Sequence, residues 1–178
     1  GAPNASIGSL EAAVFALLGL MIAFTFSGAL ARFDLRRVQA VDESNAVGTA
    51  WLRIDLLPAQ AQPALRDTFR RYVDSRIATY RALPDVAAAR DEVVRTQVVQ
   101  AEIWAQAAAA TRAPGVPASA EVLVMTALNG MFDISATRIA ATQIHPPTII
   151  YLMLIGLALT AALLAGYQSA GEKGYHWV

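Results

Sequence analysis

Two uncharged apolar runs, Ala12–Ala31 and Pro146–Gly171, stand near opposite ends of the chain, and almost every charge lies between them. Each reaches the roughly 20 residues that cross about 30 Å of hydrocarbon at about 1.5 Å per residue. The pattern predicts two transmembrane helices flanking a polar middle segment. The first helix is expected from about Ile7, with Glu11 near its entry. Its exit is marked by Arg32, Asp34, Arg36 and Arg37, because an Arg at mid-membrane costs roughly 2.5–3.5 kcal/mol. Between there and Pro58 no proline interrupts the chain, so the same helix is expected to continue through Ala40–Leu57. In that extension Val41, Val47, Trp51 and Ile54 fall on one side, and Asp42, Asn45, Thr49 and Arg53 on another.

The middle segment reads as further amphipathic helices. Pro58 to Pro63 is a turn. From Ala64 to about Leu83, Leu65, Phe69, Tyr72, Val73, Ile77 and Tyr80 form an apolar stripe, opposite Asp67/Arg71 and Arg70/Asp74 pairs at i,i+4. Pro84 restarts the chain, and Asp85 is placed to cap a helix running to about Thr111. The Pro- and Gly-containing stretch 112–117 is a loop. A last amphipathic helix, from Ser119 to about Ile144, carries Leu128, Met131, Phe132, Ser135 and Ile139. Pro146 and Pro147 then suit the first turn of the second span, where a missing N–H costs nothing. No strand-like alternation or internal repeat occurs, so the fold class is all-α and integral to a membrane. The expected layout is a first span over 1–33, a helical bundle over 34–144, a second span over 145–171 and the start of a further segment over 172–178.

Composition agrees with this layout. Hydrophobic residues make up 56% of the 178 residues and the mean hydropathy is +0.42, more than a soluble domain of this size usually carries. The formal charge is zero; Lys173 is the one lysine, and every arginine lies between Arg32 and Arg138. Acidic residues are mixed among these arginines, so no basic stripe asks for nucleic acid. Arginines at the inner ends of both spans place the middle segment in the cytoplasm by the positive-inside rule. There is no cysteine, which removes disulfides and thiol chemistry, and His145 and His176 are too few for a His-rich metal site.

Enzyme signatures fail in turn: the chain has no Gly-x-Ser-x-Gly elbow, phosphate loop, Gly-x-Gly-x-x-Gly or His-Glu-x-x-His. Asp42 and Glu43 are neighbours, hence about 100° apart on a helix, a poor spacing for a shared proton or metal. Asn129 and Asp133 have i,i+4 spacing and lie near Arg138, either as a structural polar network or as a functional site. No catalytic residue, cofactor or metal is expected. The first span is more informative. Gly19, Ala23, Ser27 and Ala31 recur every four residues as a small-residue ridge that lets another helix approach closely. The adjacent ridge Ala16, Leu20, Phe24, Gly28 either packs in a bundle or lines an oligomeric pore. In the second case Leu20 and Phe24 form an apolar constriction that gates by dewetting.

The stretch Phe24–Arg37 resembles the bestrophin signature at Phe24, Ala29, Arg32, Phe33 and Arg37. It departs from it at Thr25, Ser27 and Leu30, where the signature has Arg, Asn and Tyr. The chain is more closely similar to the bacterial bestrophin-like membrane-domain family of unknown function. That similarity covers Ala23–Arg37, the block Asp42–Ala50 with Glu43 and Asn45, then Leu52-Arg53 and Asp55–Pro58, and lastly Pro146-Pro147 opening a span that ends in Ala165-Gly166-Tyr167. The resemblance implies a multi-pass protein of a bacterial inner membrane, with further spans beyond both ends of this sequence. It singles out Arg32, Arg37, Glu43, Asn45, Arg53 and Asp55 as family-motif polar residues. By analogy with bestrophin anion channels, the constriction falls on Ala16, Leu20 and Phe24. A fold does not carry function with it. The expectation is therefore a non-enzymatic channel, or channel-derived homo-oligomer, in lipid, with an accessory or scaffold subunit of a larger membrane complex as the alternative.

Overall fold

The computed structural model describes residues 2–83 and 85–171, without the side chains of 2–7, 168, 170 and 171. Pro84 and the segment 172–178, with Lys173 and His176, lie outside the described residues. The described chain is five α-helices with no strand: α1 Ala2–Arg53, α2 Gln62–Ala82, α3 Val86–Thr111, α4 Ala118–Thr142 and α5 Thr148–Gly171. A 3-10 turn, Ile54–Leu56, follows α1. The long first helix and its continuation past the charged exit are as expected. α5 starts at Thr148, so Pro146 and Pro147 precede the helix instead of forming its first turn; the Pro147 carbonyl accepts from Ile150 N–H at 3.0 Å.

The chain divides into two compact units, one holding residues up to Arg36 together with those from Thr142, the other holding 37–141. In the first unit, α1 and α5 are each long and apolar enough to cross a membrane. Along α1 the less exposed positions are Glu11, Val14, Leu18, Met21, Thr25, Gly28 and Arg32, alternating in steps of three and four. α5 repeats this with Ile150, Leu154, Leu157, Ala161 and Leu164, and Ala161 is 2% exposed. Such 3/4 alternation is the seam of helices packed side by side. Hydroxyls within these apolar helices bond back to the preceding turn, Thr25 to Met21 O at 2.7 Å and Thr160 to Gly156 O at 2.8 Å. They thereby satisfy polar atoms that lipid cannot.

The second unit is a helical bundle around Ala50, Ile54, Leu57, Leu65, Phe69, Tyr72, Val99, Ile103, Ala107, Val124, Leu128 and Met131. The apolar stripe of α2 supplies Leu65, Phe69 and Tyr72, while Ile77 at its edge stays exposed. Asp85 caps α3 as expected, its Oδ1 accepting from Ala87 and Ala88 N–H at 2.9 and 3.1 Å. One sequence-based expectation fails here. Val41 is exposed, and the buried face of α1 is Gln39, Glu43, Ala50 and Ile54, because basic partners from α2 and α4 make burial of the Glu43 carboxylate tolerable. On α2 the attraction of Asp67 for Arg71 at i,i+4 persists and is joined by longer-range contacts. Arg71 bonds Glu102 of α3 at 2.8 Å, and the Arg70 guanidinium lies 5.6 Å from the Trp51 ring centre.

Candidate functional site

The most polar part of the bundle interior is built from α1, α2 and α4. Glu43 and Arg76 each keep 7% of their side-chain area exposed, and Arg138 keeps 19%. Arg76 Nε donates to Glu43 Oε1 at 2.6 Å, and Arg138 donates to the other oxygen, Glu43 Oε2. One carboxylate is therefore shared by two guanidiniums. Arg76 also donates to the Tyr80 hydroxyl at 2.7 Å and to Ser135 O at 3.4 Å. The Tyr80 ring lies under both cations, 4.1 Å from the Arg138 guanidinium and 5.1 Å from that of Arg76, within the range of cation–π attraction.

These groups shift each other's ionisation. Burial pulls the Arg76 guanidinium down, but the bond to Glu43 and the neighbouring phenols outweigh it, so its pKa is raised and the cation is held. Burial raises the Tyr80 hydroxyl, with the two arginines working against it. Tyr72 is fully buried, and burial raises its hydroxyl too. That hydroxyl lies beside Ser135 and Gln100, which bond one another at 3.0 Å, while Ser135 Oγ also donates to Phe132 O at 2.8 Å. The Tyr72 oxygen is left with no hydrogen-bond partner, a costly state for a buried polar atom.

A cavity of about 230 Å³ opens onto this network, lined by Glu43, Tyr72, Arg76, Tyr80 and Arg138 and, on its apolar wall, by Ala40, Val47, Val73 and Ile77. A neighbouring groove of about 450 Å³ shares Ser44, Val47 and Val73 with it and continues past Trp51, Phe69, Arg70 and Asp74. Among the described residues no group of three or more His, Cys, Asp or Glu is placed to hold a metal ion.

The residues singled out from the sequence fall into three places. In the first unit, Ala16, Leu20 and Phe24 are exposed, as are Gly19, Ala23, Ser27 and Ala31. Phe24 keeps 67% of its surface, and a Cβ built on Gly19 would meet nothing within 4 Å. Apart from Gly28, which ends the second ridge, neither ridge lies on the seam of α1. Arg32 is half-buried, its guanidinium 3.3 Å from where a Gly28 Cβ would stand, and Arg37 is exposed. In the second unit, Glu43 is the hub of the ion network and Asn45 is exposed. Arg53 donates to Leu123 O on α4, and Asp55 accepts from Arg66; both tie the end of α1 into the bundle. Asn129 and Asp133 are exposed, and Arg138 turns to Glu43. Arg76 was missed in the sequence, because its position on α2 is that of an ordinary solvated arginine among several. The one available hint was its helical spacing from Tyr72 and Tyr80.

Opposite the packed face of α1 in the second unit runs an exposed stripe, Val38, Val41, Asn45, Gly48 and Leu52. Val38, Val41 and Leu52 keep 57%, 59% and 68% of their surface. Their spacing again alternates between three and four residues, the mark of a helix prepared for a neighbour. Compared with curated proteins and with solved structures, the chain matches none. The family profile of the Bestrophin-like domain matches residues 2–171, nearly the whole chain. The protein belongs to the Bestrophin-like domain family.

Proposed function

We propose that this chain is a subunit of a homo-oligomeric bestrophin-like channel, or of an assembly derived from one, in a bacterial inner membrane with its helical bundle in the cytoplasm. The reading takes α1 as the helix by which copies meet. The observation that carries it is the stripe Val38, Val41, Leu52 on α1, past the charges Arg32–Arg37 that mark the membrane exit. In the first unit an apolar surface is at home in lipid and needs no protein cover. Beyond the exit it is not, since burying a valine or leucine is worth about 1.5–3 kcal/mol. A row of such residues on the outer face of a helix fits a protein neighbour. Small residues on the membrane part of the same helix, Gly19, Ala23, Ser27 and Ala31, suit close approach in lipid. Ala16, Leu20 and Phe24 are then candidates for an apolar constriction.

The test is copy number followed by flux. Native mass measurement in lipid nanodiscs should return one closed multiple of the chain, and liposomes holding that species should pass a small anion faster than empty ones. A single copy carrying foreign helices would instead support an accessory or scaffold subunit.

A further inference from the structure

We propose that the cavity beside Glu43, Arg76 and Arg138 binds a small organic monoanion, its carboxylate on the guanidiniums and its short apolar tail along Val47, Val73 and Ile77. Charge arithmetic sets the valence. Among the residues lining this cavity, two arginines face one carboxylate, which leaves one positive charge shared between buried Arg76 and partly exposed Arg138. A single negative charge neutralises it, and a dianion would overshoot. Buried charge is costly unless paired, and the Glu43 carboxylate already spends both of its oxygens on the two cations.

Size and wall chemistry set the rest. About 230 Å³ is the share of roughly seven or eight waters at about 30 Å³ each, far more than a bare halide fills. The charged residues are Glu43, Arg76 and Arg138. Ala40, Val47, Val73 and Ile77 offer no hydrogen bond from their side chains, so the lining suits an amphipathic anion better than a hydrated one. Tyr72 lines the inner side of the same cavity, with its buried hydroxyl beside Ser135 and Gln100. None of this depends on whether the protein conducts ions, so the site stands or falls separately from the channel reading.

The experiment is calorimetric titration of the full chain in lipid nanodiscs with acetate, propionate, butyrate and hexanoate, with empty nanodiscs as the blank. Affinity should tighten by about threefold for each added methylene, close to the transfer value for partly covered CH₂ groups, until the cavity is filled. Butyramide, isosteric but uncharged, should not bind. Arg138→Met should weaken hexanoate at least tenfold, and Ile77→Ser should flatten the chain-length slope. Because Ile77 is 43% exposed, that variant keeps the fold, and the chain-length series needs no variant at all. The proposal is overturned by equal affinity from acetate to hexanoate, by chloride binding as tightly as hexanoate, by butyramide binding as well as butyrate, or by no heat from any acid at tens of millimolar.

Discussion

Replacing Glu43 by glutamine keeps the shape of the side chain and removes the one negative charge among Glu43, Arg76 and Arg138. Two guanidiniums then face each other across an amide, and Arg76, with 7% of its side chain exposed, cannot turn to solvent. Breaking a buried ion pair from one side costs about 3–5 kcal/mol, and this carboxylate serves two partners, so Glu43→Gln belongs at the upper end of that range. Arg138→Met is a milder change. Arg138 keeps 19% of its side chain exposed, and Glu43 retains Arg76, so the loss is about 1–2 kcal/mol, that of one charged hydrogen bond near the surface. In the double variant the surviving arginine has fewer like charges to repel it, and the cost should fall below the sum of the singles by about 1–2 kcal/mol. Chemical denaturation followed by tryptophan fluorescence reads this, since Trp51 and Trp104 lie in the same unit. Asp42→Asn, one residue away and exposed, is the control and should stay within about 0.5 kcal/mol of the parent. If Glu43→Gln is no more destabilising than Asp42→Asn, the carboxylate does not hold the helices together and the account of this site is wrong.

Alkaline pH should weaken the fold. Tyr72 and Tyr80 both have hydroxyl pKa values raised above 10.0 by burial, so the folded state holds protons that the unfolded state has released. Their contribution is complete below about pH 10 and is lost as pH climbs through the folded values; unfolding free energy at pH 11 should be lower than at pH 9, and equality would contradict the assignment. If Phe24 helps to close a pore, Phe24→Ala should raise anion efflux from liposomes, whereas Phe15→Ala, about 180° round the helix, should not. A cysteine placed at exposed Gln60, in the turn between α1 and α2, should resist an impermeant thiol reagent applied outside intact cells and react after lysis; rapid labelling from outside would reverse the topology.

Helices were legible because their signals are local. The uncharged runs, the Asp85 cap and the proline-bounded turns each act within a few residues of chain. The rest depended on partners. Val41 looks like a core position beside Val47 and Trp51, yet the bundle turns Glu43 inward, since Arg76 and Arg138, 33 and 95 residues away in sequence, neutralise it. Arg71 likewise prefers Glu102 to its helical neighbour Asp67, because α2 and α3 lie side by side. Glu43 could be named from a family motif but not given a role, and Arg76 could not be named at all. The ridges of the first span were visible as spacing; only the placement of the seam at Val14, Leu18 and Met21 showed that, Gly28 apart, neither ridge packs against another described helix.

The central claim is that α1 meets α1 from another copy along Val38, Val41 and Leu52. The chain has no cysteine, so single cysteines report without background. Val41→Cys, oxidised in native membranes, should give a crosslinked species of twice the chain mass on a non-reducing gel, whereas Val94→Cys, equally exposed but on α3, should not. Crosslinking at 94 with none at 38, 41 or 52 would place the contact between copies on another helix and contradict the claim.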